Sequence, residues 1–74
     1  MSKLPEYRYG DVIKKIKKVG FEYDRNAKGS HEIWYNSENK RRTTIPNHPT
    51  PIKKGTLREI LRQIGFTPEE FQKL

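Results

Sequence analysis

From Gly10 to Val19 the stretch GDVIKKIKKV places apolar residues at Val12, Ile13, Ile16 and Val19, with lysines at 14, 15, 17 and 18. That one-sided spacing predicts an amphipathic helix. Asp11 in its first turn and the lysines toward its end suit the helix dipole, and Gly20 supplies a left-handed stop. The period then shortens to two. FEYDR at 21–25 alternates apolar and charged residues and reads as a strand, with NAKG as its turn. A second strand is predicted from Ser30 to Tyr35, rich in the β-favouring Ile33, Trp34 and Tyr35, and NSENK at 36–40 is a polar hairpin loop. RRTTI forms a third strand ending at Ile45, because Pro46 has no amide hydrogen to give to a ladder.

PNHPTPIKKG follows as a proline-rich loop of restricted conformation. Thr56 and Glu59 then form a capping-box pattern, and Leu57, Ile60, Leu61 and Ile64 keep helical spacing until Gly65. Thr67, Pro68 and Glu70 repeat the start signal, predicting a short last helix from which Phe71 and Leu74 dock back. MSKLPEYR, residues 1–8, is polar with one proline, so a flexible arm is expected over residues 1–9 and a single domain over 10–74. The chain shows no internal repeat and no low-complexity tract.

The elements run helix, three antiparallel strands, helix and a terminal turn. This is an α+β arrangement, with one sheet whose apolar face is covered by both helices. The order αβββα is that of double-stranded-RNA-binding domains, a likeness of fold that leaves activity open. Period two puts His31 on one strand face with Ile33 and Tyr35, and Ser30, Glu32 and Trp34 on the other. If Ile33 faces the helices, His31 sits at the strand's end on the same side, partly sheltered. Trp34 is then hairpin packing, or a surface for a protein partner or for base stacking.

Size narrows the chemistry. At 74 residues the chain holds one core and no deep enclosed cavity. Such a core leaves roughly 3–5 kcal/mol of net stability without staples, and with no cysteine there is neither a disulfide nor a thiolate metal site. Two histidines and no cysteine make structural zinc improbable, and no metal or cofactor is expected. No segment approaches the ~20 apolar residues of a membrane span, and no apolar secretory stretch opens the sequence; a cytoplasmic location is expected. Sixteen Lys and Arg against nine Asp and Glu give a net charge of +7, which favours a polyanionic partner such as nucleic acid over a purely solvated basic surface.

Three ordered pieces carry a closer resemblance. They are Gly29-Ser30-His31, the step Pro46-Asn47-His48, and Lys54-Gly55-Thr56-Leu57 leading into Ile60 and Leu61. Together with VIKKIKKVGFEYDRNAKGSHEIWY and TTIPNHPTPIKKGTLREILRQIGF they make residues 10 to 66 resemble the HicA (YcfA) toxins, small RNA-cleaving partners of HicB antitoxins. The resemblance implies an endoribonuclease of messenger RNA whose catalytic residue is the histidine of Gly-Ser-His, here His31. It also implies a HicB-type antitoxin that covers the active face of a toxin monomeric when free.

The chemistry of these residue types agrees. RNA carries its own nucleophile, the 2′-hydroxyl, so cleavage needs proton transfer and stabilisation of a more negative phosphorane, and a metal is not required. An imidazole can move that proton near neutral pH, a contribution typically worth ~10²–10⁴ in rate. Gly29 lets backbone approach a phosphate, and Ser30 offers a hydrogen bond to a nonbridging oxygen. His48 is either a complementary acid or a surface loop histidine. Lys28 precedes the motif, Lys53 and Lys54 flank a helix N-terminus, and Arg41 and Arg42 lie on the third strand; these are the phosphate-binding candidates. The lysines of the first helix are a solvated face, and no base-reading motif is visible. A noncatalytic double-stranded-RNA-binding module and a protein-interaction module with a basic face are the competing readings.

Overall fold

The amphipathic stripe of the first helix buries Val12, Ile13 and Ile16 against a three-stranded sheet. The computed structural model describes residues 4–74. In chain order the elements are α1 (Tyr9–Lys18), β1 (Glu22–Asn26), β2 (His31–Asn36), β3 (Arg41–Pro46), α2 (Lys54–Ile64) and α3 (Pro68–Gln72). The sheet is antiparallel throughout, in the order β1-β2-β3. This is the expected α+β, αβββα arrangement. β3 runs one residue past Ile45, so that Pro46 closes the ladder opposite His31.

Three expectations are corrected. The first concerns the sheet faces. Trp34, 3% exposed, turns toward the helices with Glu32 and Asn36, and its cross-strand partner Thr43 is buried beside it. His31, Ile33 and Tyr35 therefore occupy the open face. Trp34 is core: it packs edge-on against Tyr23, lies under the Lys17 ammonium, and donates its indole N–H to Glu32.

The second correction concerns the start of α2. Lys53, in extended conformation, is the N-cap, and the Leu57 amide bonds to the Lys53 carbonyl at 2.9 Å. Thr56 consequently lies inside the first turn, where its side chain cannot cap. Glu59 instead pairs with Arg62 one turn on. The four buried residues Leu57, Ile60, Leu61 and Ile64 set the helix phase as expected, and Gly65 ends it at φ 82°. In α3 the capping box does form, Thr67 and Glu70 exchanging hydrogen bonds of 2.8 and 3.1 Å.

The third correction concerns the arm. Residues 1–3 lie outside the described residues, but from Leu4 onward the segment is anchored. Leu4 and Tyr7 belong to the core, and the Tyr7 ring stands edge-on to Phe71 at 5.3 Å. The Ile52 amide bonds to the Tyr7 carbonyl and the Arg8 guanidinium to the Pro49 carbonyl. The arm thus holds the proline-rich loop in place. Among the described residues no helix is long and apolar enough to cross a membrane.

Candidate active site

The turn between β1 and β2 sets His31 at the mouth of its strand. Gly29 takes φ 65°, a left-handed geometry that suits glycine. The His31 amide bonds back to Lys28, and the Ala27 amide to the His31 carbonyl. At the far side of the ladder the Asn47 amide donates to the Ser30 carbonyl at 3.0 Å. This bond folds the residues after Pro46 over the Gly-Ser-His turn. The two motifs, distant in sequence, meet there.

Ser30 Oγ lies 3.2 Å from Nε2 of His48, and the rings of His31 and His48 stand 6.2 Å apart at 88°. Both histidines are solvent-exposed. They border a groove of about 590 Å³ between the end of β3, the proline-rich loop and α2, whose walls include Thr44, Lys53, Thr56 and Ile60. Lys53 and Lys54 stand at the N-terminal end of α2, whose first turn carries no acidic residue, so unsatisfied amides and two ammonium groups favour an anion there. Lys28 is exposed in the turn beside Gly29.

The arginines divide. Arg42 shares the open sheet face with His31 and stacks its guanidinium 4.6 Å from the Tyr35 ring centre. Arg41 points elsewhere: it donates to the Gln63 carbonyl and packs on Gly65 at the C-terminal end of α2. Five residues of strand, roughly 16 Å, separate it from the histidines. It serves the helix end and is not brought to the site.

Behind the histidines lies a polar hub that sequence reasoning missed. The Glu32 carboxylate accepts hydrogen bonds from the Tyr9 hydroxyl at 2.6 Å, the Trp34 indole at 3.1 Å and the Asn47 amide nitrogen at 3.0 Å. Partial burial pushes its carboxyl upward, but the three donors from Tyr9, Trp34 and Asn47 outweigh this and hold it below the usual glutamate value. The Tyr9 hydroxyl is pushed up to about 12, first by burial and then by its bond to Glu32 and the carboxylate's charge, with a smaller contribution from Tyr23. The sequence signal for this hub was Glu32 sharing a strand face with Trp34, a face that period two alone did not assign to the core. Among the described residues no group of three or more metal-ligating side chains comes together.

Two exposed imidazoles border a groove beside a cationic helix start, an arrangement that can hold an anion and exchange protons with it. No curated protein matches the chain. The family model described as the HicA toxin of bacterial toxin-antitoxin matches residues 9–66, a span that includes the Gly-Ser-His turn, the Pro-Asn-His step and all of α2. The chain therefore belongs to the HicA toxin family and is the toxin of a bacterial toxin–antitoxin system.

Proposed function

We propose that this toxin is an endoribonuclease of single-stranded messenger RNA in which His31 acts as general acid or base. The observation that carries the reading is the exposed His31–His48 pair, 6.2 Å apart across the groove mouth. At that separation the rings stand nearly edge to face, so a phosphate docks beside the pair, at the groove that both residues line, and can reach each ring from there. One imidazole takes the proton of the ribose 2′-hydroxyl as the O2′–P bond forms. The other gives a proton to the 5′-oxygen as the P–O5′ bond breaks. The products are a 2′,3′-cyclic phosphate and a 5′-hydroxyl.

Around this step each neighbour has a part. Ser30 orients His48 and offers its hydroxyl to a nonbridging oxygen, while Gly29 keeps the turn backbone open to the phosphate. Lys28, Lys53 and Lys54 offset the extra negative charge of the phosphorane, which in water-poor surroundings is among the larger contributions to such catalysis. A HicB-type antitoxin silences the toxin by covering this face. The strand order also suits duplex binding, and the same assay separates the two readings.

Incubation with single-stranded RNA in EDTA is the test. The proposal expects fragments ending in 2′,3′-cyclic phosphate, with duplex RNA a poor competitor. Tight duplex binding without cleavage, or fragments with free 3′-hydroxyls that appear only when a divalent metal is added, would contradict it.

A further inference from the structure

The sheet face turned away from the helices carries His31, Ile33 and Tyr35 of β2 beside Thr44 and Arg42 of β3. No helix covers it. Tyr35 is half-buried, and the Arg42 guanidinium lies over its ring at 4.6 Å while remaining exposed to solvent. A guanidinium spread on an aromatic ring offers a flat, cationic surface, the pairing on which unstacked bases and their phosphates settle. The same face is continuous with the His31 groove through Thr44, which lines that groove.

We infer that the Tyr35–Arg42 pair is a second nucleotide-binding site, taking a base and phosphate of the same single strand whose scissile phosphate lies at His31; this rests on the ribonuclease reading above. Four residues of strand separate His31 from Tyr35, roughly 13 Å. An extended strand crosses that distance in a few nucleotides, and a dinucleotide centred on His31 falls short of it. Charge sets the approach. On the β1 side Glu22 is the cross-strand partner of Tyr35, and on the β3 side Arg42 is. The phosphate backbone therefore passes along β3, toward the lysines at the start of α2, and avoids the carboxylate. The chain's net charge of +7 favours the same occupant.

The test compares the binding of two uncleavable ligands, a 2′-O-methyl dinucleotide and a 2′-O-methyl oligonucleotide long enough to cover the sheet. Tyr35→Leu is expected to weaken oligonucleotide binding roughly tenfold, the size of one stacking contact, and to leave dinucleotide binding unchanged. Tyr35→Phe keeps the stack and is expected to bind like the unaltered protein. Arg42→Gln lowers the oligonucleotide's salt slope by about one. Equal losses for both ligands, or no loss for the oligonucleotide, would overturn the site. So would variants that lose only the antitoxin, which would assign the face to a protein partner. Cleavage of an unmodified dinucleotide is read separately, so a failure of the ribonuclease reading remains distinguishable from a failure of this site.

Discussion

The Ser30 hydroxyl lies 3.2 Å from Nε2 of His48, so the residue before the strand histidine is also the residue that steadies the loop histidine. The two histidines act as a pair in this account. Replacing His48 with alanine is therefore expected to lower kcat by about 10²-fold, the low end for one acid–base partner. It is also expected to remove one limb of a bell-shaped dependence of kcat/KM on pH. A His48→Ala protein with the original bell would remove that residue from the proton transfer.

The cations near the site are not equivalent. Lys53 lines the groove, whereas Arg41 is spent on the Gln63 carbonyl at the other end of α2. Lys53→Ala is expected to weaken RNA binding for all sequences and to reduce its salt slope by about one. Arg41→Ala is expected to leave RNA affinity and salt slope unchanged while lowering thermal stability. Affinity titrations at several salt concentrations, beside a melting curve, check both.

Glu32 makes stability depend on pH. Its folded carboxyl sits below the ordinary value, so the stabilisation is present above that ordinary value and is lost as pH falls through the depressed one. Tyr9 runs the opposite way. With its hydroxyl raised to about 12, its contribution is complete below the usual tyrosine value of about 10 and disappears as pH climbs toward 12. Glu32→Gln is expected to cost about 1–3 kcal/mol at neutral pH and to flatten the acid limb. Tyr9→Phe should flatten the alkaline limb. Denaturant titrations across pH measure both.

The anchored arm predicts a large effect from a residue far from the histidines. Leu4 is 3% exposed, and a buried Leu→Ala change costs about 2–5 kcal/mol. A domain of this size has roughly 3–5 kcal/mol to lose. Leu4→Ala should therefore leave much of the protein unfolded at room temperature, read by circular dichroism.

Where a residue pattern had one physical solution, the sequence was legible. The stripe of α1, the Thr67 box and the left-handed Gly65 each admit a single reading, and the structure carries all three. The strand HEIWYN did not, because Ile33, Trp34 and Tyr35 are consecutive apolar residues and period two cannot choose between their faces. Packing chose Trp34, which brings the largest side chain and a donor for Glu32 into the core. The Thr56–Glu59 box lost to a helix that starts at Lys54, with the extended Lys53 as its N-cap. In MSKLPEYR the charges and proline hid Leu4 and Tyr7, whose burial depends on α3 and the proline-rich loop, elements far along the chain. The Gly-Ser-His motif singled out His31, and the structure sets that residue exposed at the edge of the groove. The hub at Glu32 joins α1, β2 and the loop after β3, a meeting that no local pattern records.

If the exposed His31 imidazole carries one of the two proton transfers in RNA cleavage, His31→Ala removes that transfer and leaves the lysines beside the groove in place. Single-turnover cleavage and RNA affinity are measured side by side on the folded variant. The expected cleavage rate is at least about 10²-fold lower, with affinity essentially retained. Cleavage at the original rate without that ring would contradict this role for His31.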